Sequence, residues 1–176
     1  NDEYNKLFIK TIDCDDFIIN ASILHGNDWE EKGYNGFQTV WFKNLDRLMS
    51  FLIEKKIDSK NYKLLDLGSG IGLSTMYLGE NYKFKSLAGL EIDKRLNEIS
   101  NSNLCRRNKK LETKEPLDIE FLCSDATQYN IANDKHIIFM FNSLGWKALK
   151  IFINNNYKIL SKNKCILLQA NDEPSH

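Results

Sequence analysis

The chain has 176 residues, which is long enough to bury one substantial hydrophobic core, and its 24 basic and 24 acidic side chains give a formal net charge of zero. This balance argues against a broad polyanion-binding surface, although it leaves room for a local basic patch. No apolar run is long enough to cross a bilayer, and the first ten residues, NDEYNKLFIK, lack the apolar segment of a secretory signal.

The cysteines indicate neither a metal site nor a redox centre. Cys14, Cys105, Cys123 and Cys165 have no spacing typical of metal ligands or of a CxxC motif. Cys123 and Cys165 lie inside apolar runs, so we expect both to be small buried side chains. Cysteines without a disulfide pattern favour a reducing compartment, and we expect a cytoplasmic protein.

The order of the apolar segments along the chain predicts an α/β fold. Helical patterns lie at residues 37–56, 73–78, 94–107 and 147–160, and strand-like apolar runs lie at residues 63–68, 86–92, 119–125, 136–142 and 165–170. The strand-like runs are apolar throughout, which is typical of parallel strands covered on both faces. Their alternation with helices predicts a doubly wound, Rossmann-like α/β fold with a mostly parallel sheet.

The segments outside this alternation indicate the domain organisation. We expect residues 1–35 to form an N-terminal cap or lid and residues 36–176 to form the ligand-binding domain. Residues 106–118 are the most polar stretch and are expected to form a surface loop, with the basic cluster at its start on a solvated helix end. This cluster consists of Arg106, Arg107, Lys109 and Lys110.

A glycine-rich turn, GSGIG, follows the first strand-like run at residues 68–72. Dinucleotide-binding turns usually have the pattern G-x-G-x-x-G, whereas Leu73 occupies the place of the third glycine here. A P-loop would need a lysine after its glycines, and none follows. Asp66, two residues before the turn, adds a negative charge that suits a ligand with a cationic end better than a phosphate.

Acidic residues also end the second and third strand-like runs. Glu91 lies where an acid can accept hydrogen bonds from both hydroxyls of a ribose. Asp93, two residues later, could make this contact in place of Glu91. Asp125 lies where an adenine would reach, although it could instead cap the helical turn that follows. Acids at three successive strand ends predict an adenosine ligand without phosphate.

The motifs LLDLGSGIG, GLEID, SDA and IIFMFNS, in this order, resemble the class I S-adenosylmethionine-dependent methyltransferases over residues 60–170. The segment FNSLGW is also similar to a part of the Dot1-like lysine methyltransferases. The resemblance implies S-adenosyl-L-methionine as cofactor. The cofactor-binding residues that it implies are Asp66, Gly68, Ser69, Gly70, Gly72, Glu91, Ile92, Asp125, Ala126 and Asn142.

Each part of the cofactor has an implied place within this set. The glycines and Ser69 would line the methionine part, with Asp66 near its amino group. Glu91 would take the ribose hydroxyls, and Asp125 with the alanine that follows it would border the adenine. Asn142 would lie beside the methyl group, although a role in capping the next helix is an equal alternative.

The resemblance implies methyl transfer to a nitrogen or oxygen of an acceptor, and a protein side chain or a small molecule is the favoured acceptor. Methyltransferases of exocyclic base amines usually carry, after the fourth strand, an Asp, Asn or Ser followed by Pro-Pro and an aromatic residue. Asn142 matches the first position, but Ser143 follows it in place of the first proline. Neither Pro116 nor Pro174 precedes a cysteine, as carbon-5 methylation of pyrimidines would require. Nucleic acid is therefore the less favoured acceptor. The sequence identifies no catalytic residue and no oligomeric state.

Two features leave alternatives open. The family's sheet has seven strands, closed by a hairpin after the fifth, whereas only six residues follow the fifth run here. We therefore expect the methyltransferase fold without its C-terminal hairpin, and a non-catalytic scaffold with this fold is the alternative function. A nicotinamide oxidoreductase is disfavoured by Leu73.

Overall fold

The computed structural model describes residues 2–11, 39–110 and 115–170. The strands are β1 (Lys63–Leu67), β2 (Leu87–Glu91), β3 (Ile119–Cys123), β4 (His136–Phe141) and β5 (Ile166–Ala170). They form one sheet in the order β3-β2-β1-β4-β5, and all four neighbouring pairs are parallel. The predicted Rossmann-like α/β fold is confirmed. Residues 171–176 lie outside the described residues, so the predicted lack of a C-terminal hairpin is not tested.

Within the described residues, five α-helices accompany the sheet. They are α1 (Asp2–Thr11), α2 (Phe42–Glu54), α3 (Leu73–Asn81), α4 (Lys94–Lys110) and α5 (Trp146–Lys162). The helix α4 continues beyond its predicted end at residue 107, and the lysines of its last turn are favoured there by the helix dipole. Within the described ranges, no helix combines the length and the apolar character needed to span a membrane.

The sheet divides the core into two layers, because successive strand side chains point to opposite faces. On one face, Leu64 and Ile137 belong to a core that includes side chains of α2, α3 and α4. On the other face, Leu65 and Ile138 pack with side chains of α5. Both faces are covered, as the continuous apolar runs predict.

The direction of winding reverses at the centre of the sheet, because β1 pairs with β2 on one side and with β4 on the other. In open α/β sheets, ligands bind outside the carboxyl ends of the strands at this switch point. The glycine turn that follows β1 therefore lies at the place where the fold favours a ligand.

The helix α1 packs against α2 and α3. The Asn5 side chain accepts a hydrogen bond from the N–H of Phe42 and donates one to the carbonyl of Val40, so it caps α2 from outside. Phe8 lies edge-on to the rings of Phe42 and Tyr77. The helix belongs to the predicted cap at residues 1–35, most of which lies outside the described residues, so that domain division stays a prediction.

The structure corrects the interpretation of the basic cluster at residues 106–110. Arg107 is 1% exposed rather than solvated. Its guanidinium contacts the carboxylate of Glu80 and donates to the carbonyl of Glu115. A buried arginine needs such partners, so Arg107 fastens α4 to α3 and to the segment before β3.

The prediction of two buried cysteines is also wrong for Cys123, which is exposed, and Cys165 is half-buried. Cys123 is the last residue of β3, which lies at the edge of the sheet. An edge strand has a neighbour on one side only, so its end is less covered than an apolar run in the sequence indicates.

We expect Arg107→Met to lower the free energy of unfolding by about 3–5 kcal/mol, because it removes the guanidinium that compensates the charge of the largely buried Glu80 carboxylate. Urea denaturation measures the change. The exposed Lys109→Met is the matched control and should stay within about 0.5 kcal/mol of wild type. Adding Glu80→Gln to Arg107→Met should restore part of the lost free energy of unfolding. If Arg107→Met and Lys109→Met were equally stable, the buried ion pair between Arg107 and Glu80 would be ruled out.

Candidate active site

The glycine turn connects the carboxyl end of β1 to α3. Gly68, Gly70 and Gly72 have φ values of +76°, +55° and +83°, which side chains disfavour. A Cβ atom on Gly68 would also collide with the side chain of Ser143, and one on Gly72 would lie 2.6 Å from Cζ of Phe121. The packing of the protein itself therefore requires two of these glycines, whatever ligand binds.

The backbone N–H groups of the turn are directed into the protein. Those of Gly68 and Ser69 donate to the carbonyl oxygen of Leu90 at 2.8 and 2.9 Å. That of Gly70 donates to Oε2 of Glu91 at 2.8 Å. A phosphate-binding turn offers such groups to its ligand. Because these three amides already have acceptors, they are not available to a phosphate.

Glu91 ends β2, and its side chain is directed toward the turn. It is 6% exposed. Its Oε1 accepts from the N–H of Asp93 at 2.9 Å, and its Oε2 accepts from that of Gly70. Burial raises the pKa of the Glu91 carboxyl, and these two backbone donors partly offset the shift. The N–H of Ile92 also favours the ionised carboxylate, so one to two of its about four acceptor positions remain for hydroxyl groups of a ligand.

Asp66 lies in β1 and is 2% exposed. Its Oδ2 accepts a hydrogen bond of 2.7 Å from the hydroxyl of Thr75 in α3. Burial raises the pKa of the Asp66 carboxyl to about 7; the Thr75 bond opposes the shift and the negative charge of Glu91 adds to it. At neutral pH this carboxyl is close to the midpoint of its titration, and a cation beside it would favour the ionised form.

A cleft opens beside the glycine turn. Its lining consists of Thr39, Asp66, Gly68, Ser69, Ile71, Leu73, Ser74, Phe139 and Phe141. In this lining no residue is basic and Asp66 alone is charged. The Ser69 hydroxyl is buried without a hydrogen-bond partner among the described residues, which is costly unless a ligand supplies one. The lining therefore fits a ligand with a cationic end that also forms hydrogen bonds.

The residues predicted for the adenine lie at the end of β3. The Oδ1 of Asp125 accepts 2.7 Å hydrogen bonds from the N–H and the hydroxyl of Thr127, so Asp125 caps the short 3-10 helix Ala126–Gln128. Ala126 is buried, and Ile92 is half-buried against the same core layer. Asp125 thus has the capping role that the sequence left as its alternative, and its contact with an adenine stays a prediction.

The segment after β4 lies against the glycine turn. Asn142 has a φ of +45°, a conformation that non-glycine residues seldom adopt. The next residue, Ser143, donates its hydroxyl to the carbonyl of Leu67 and occupies the space that a Cβ on Gly68 would need. The carboxyl ends of β1 and β4 are therefore tied together, and the role of Asn142 beside the methyl group stays a prediction.

Asp93 does not take the place of Glu91. Its Oδ1 accepts hydrogen bonds from the N–H groups of Arg95 and Leu96, so Asp93 caps the N-terminus of α4. This is a common role for aspartate ahead of a helix, and the contact of Glu91 with a ribose stays a prediction.

Three contributors to the site are absent from the sequence prediction. Thr75 orients Asp66, Ser143 fixes the glycine turn, and Thr39 lines the cleft. The sequence marks none of them, because each acts through a contact between segments that are distant along the chain. A threonine in the first turns of a helix is otherwise unremarkable.

The comparisons with known structures concern the fold. A candidate RNA methyltransferase from Pyrococcus horikoshii has a similar structure, with a TM-score of 0.54 and 17% identity. So has an S-adenosylmethionine-dependent methyltransferase from Clostridium acetobutylicum, with a TM-score of 0.51 and 17% identity. The chain has the fold of the S-adenosylmethionine-dependent methyltransferases. A Pyrococcus abyssi tRNA (uracil-54, C5)-methyltransferase in complex with S-adenosyl-L-homocysteine is also similar, with a TM-score of 0.50 and 19% identity.

The extent of these similarities differs between the three structures. The similarity to the P. horikoshii protein covers 90% of this chain and 70% of that one. For the C. acetobutylicum protein the shares are 74% and 47%, and for the P. abyssi protein they are 77% and 30%. The chain thus spans less than half the length of two of these methyltransferases. No protein-family model matches the sequence, and no curated protein is similar to it in sequence.

Asp66 should make the stability of the fold depend on pH. With a pKa of about 7 when folded and an ordinary value of 3.8, its carboxyl stays protonated in the folded state while the unfolded state loses the proton. The folded state is thus progressively disfavoured as the pH rises from about 4 to about 7, and the loss persists at higher pH. The side chain of Asp66→Asn cannot ionise. The difference in free energy of unfolding between this variant and wild type should therefore grow by about 2–3 kcal/mol, in favour of the variant, when the pH is raised from about 5 to about 8.

Denaturant unfolding at the two pH values measures this gain. Asp118→Asn, which removes an exposed carboxylate away from the cleft, is the matched control and should follow the wild-type curve. Parallel curves for wild type and Asp66→Asn would show that Asp66 titrates as an ordinary surface carboxylate.

Proposed function

We propose that this chain binds S-adenosyl-L-methionine in the cleft beside the glycine turn and transfers its methyl group to a nitrogen or oxygen of an acceptor. One observation carries the proposal. At the switch point of a methyltransferase-like sheet, the turn directs its N–H groups into the protein and a buried acid, Asp66, lines the cleft. Such a site disfavours a phosphate and favours a cationic amino acid end.

The described residues divide the binding of this cofactor among them. Asp66 would hold the ammonium group, and the buried Ser69 hydroxyl would gain its missing hydrogen-bond partner. The free acceptor positions of Glu91 would receive the ribose hydroxyls. Asp125 would border the adenine, and Asn142 would lie beside the acceptor. The cofactor, when bound, would supply a methyl group activated by a sulfonium centre.

The protein's part in the reaction is alignment and the exclusion of water. A lone pair on the acceptor forms the new bond to the methyl carbon while the carbon–sulfur bond breaks and its electrons stay on sulfur. The acceptor's proton, where it carries one, passes to solvent or to a base. The apolar cleft walls formed by Leu73, Phe139 and Phe141 would exclude water from the reacting atoms.

The similar known structures support the proposed cofactor, and they point to no single acceptor. The three similar structures are all described as methyltransferases, and one of them was solved with S-adenosyl-L-homocysteine. Two of them are described as RNA methyltransferases, so RNA belongs among the acceptors to be tested beside proteins and small molecules.

A non-catalytic scaffold remains the second candidate from the sequence. It shares the cofactor cleft with the enzyme, and it differs in having no acceptor within reach of the methyl group. Cofactor binding therefore separates both candidates from a nicotinamide oxidoreductase, and methyl incorporation into an acceptor separates the enzyme from the scaffold.

Isothermal calorimetry with S-adenosyl-L-homocysteine tests the cofactor assignment. We expect binding by wild type and none of NAD, whose pyrophosphate finds few free amides in the turn. Asp66→Asn keeps the shape of the side chain and removes its charge, so it should weaken binding about 10- to 100-fold, as expected for a hydrogen bond to a charged group. Asp118→Asn should bind as wild type does.

The pH dependence sharpens this test. Binding of a cation beside Asp66 requires its ionised form, so wild-type affinity should fall by about tenfold per pH unit below about pH 7. The affinity of Asp66→Asn should lack this dependence. Tight binding of NAD, or an unchanged affinity for S-adenosyl-L-homocysteine in Asp66→Asn at about pH 8, would rule out the assignment.

A further inference from the structure

The lysines of this neutral chain are unevenly distributed. Residues 135–170 contain six lysines and no aspartate or glutamate. Four of the six, Lys147, Lys150, Lys158 and Lys162, lie on α5 and are exposed. None of these four forms an ion pair within the described residues. The exposed side of α5 is therefore a strip of uncompensated positive charge on a protein whose net charge is zero.

The helical period places these lysines together. At about 100° per residue, Lys147, Lys150, Lys158 and Lys162 fall within about one third of the circumference of α5. The helix has 17 residues and is about 25 Å long. Asn154 lies within the same sector and is exposed. The strip is thus a basic line about 22 Å long, interrupted by the exposed Ile151.

Two exposed aromatic rings run beside this line. Trp146 is 73% exposed and Tyr157 is 64% exposed. They are 11 residues apart, so they lie within about 20° of each other around the helix and about 16 Å apart along it. Exposed aromatic rings beside a line of lysines are the two elements that bind a single nucleic-acid strand, one for the bases and one for the phosphates.

The aromatic end of this line lies next to the candidate active site. Trp146 is the first residue of α5 and follows the segment whose Ser143 hydroxyl donates to the carbonyl of Leu67, at the end of β1. A base stacked on Trp146 would therefore lie at the same edge of the sheet as the glycine turn. The helix begins here, so its positive dipole end also faces this edge.

We propose that the exposed side of α5 binds single-stranded RNA, with a base stacked on Trp146 and the phosphates along the four lysines. Its use as the methyl acceptor rests on the proposed function, whereas the binding itself does not. Leu149 and Phe152 of α5 are buried against the sheet, and the large apolar side chains that α5 exposes are Trp146, Ile151 and Tyr157, so a membrane surface is the occupant that the test has to separate from RNA. RNA is favoured over DNA as the source of the strand, because unpaired bases in loops and bulges are its usual recognition element.

Fluorescence anisotropy of a labelled single-stranded oligoribonucleotide of about 10 nucleotides, a usual length for such sites, tests the proposal with the full chain. We expect saturable binding that weakens with salt. Lys147→Glu combined with Lys150→Glu should weaken it at least tenfold and reduce the slope of log K against log salt by about 1.4, the value for two phosphate contacts on a single strand.

Stacking has its own variants. Trp146→Ala should weaken binding about 5- to 100-fold, and Trp146→Phe should restore most of it, because a phenyl ring still stacks. The matched controls are Lys60→Glu combined with Lys83→Glu, at exposed positions before β1 and β2 on the opposite edge of the sheet, and Phe51→Ala, which removes an exposed ring from α2. Both controls should bind the RNA as wild type does.

Several outcomes would overturn the proposal. These are no binding of the oligoribonucleotide, equal losses in the control variants, tighter binding of the DNA oligomer of the same sequence, or binding of anionic phospholipid vesicles in place of RNA. The failure of the proposed function has a different signature. If wild type binds no S-adenosyl-L-homocysteine in calorimetry without RNA but binds RNA through α5, the cofactor assignment fails and the RNA surface stands.

Discussion

The Glu91 carboxylate accepts one hydrogen bond from the N–H of Gly70 in the glycine turn and one from the N–H of Asp93, the residue that caps α4. It therefore joins the end of β2, the glycine turn and the start of α4 at one buried point. The Gly70 amide that it holds lies between two glycines whose positions are set by the packing of Ser143 and Phe121. The direction of the turn depends on this carboxylate, and the cleft depends on the turn. Glu91 therefore has a structural role whether or not a ribose binds to it.

Because Glu91 holds the glycine turn and is also a candidate ligand-binding residue, mutating it does not test ligand binding alone. Truncating Glu91 would leave two buried backbone donors without their acceptor, so the loss of a ligand in such a variant could reflect a displaced turn. Asp66 is different, because its one described partner is the Thr75 hydroxyl, which an asparagine in its place can still satisfy. The two acids lie close enough for the charge of Glu91 to raise the pKa of Asp66. A cationic ligand beside Asp66 would relieve this repulsion.

The fold was predictable because it depends on local patterns. Continuous apolar runs predict strands such as β4, which is buried along its whole length, and the strand–helix alternation predicts their parallel order. The predicted glycines are in place, but Gly68 is explained by Ser143, a contact across 75 positions of the chain. Arg107 was misassigned for the same reason, since its partner Glu80 lies on another helix. Long-range contacts leave no periodic signal in a single sequence.

Net charge is likewise a poor guide to surfaces on this protein. A total of zero argues against a broad basic face, and in the sequence alone the lysines at residues 147–164 look like the ordinary solvated side of a helix. Their meaning depends on two facts from the structure. The helix begins at the edge of the sheet where the glycine turn lies, and its outer side carries exposed rings beside lysines that form no ion pair with any described residue. Electrostatic attraction falls off over about 10 Å in salt, so a local strip of this kind acts on a partner almost independently of the total charge.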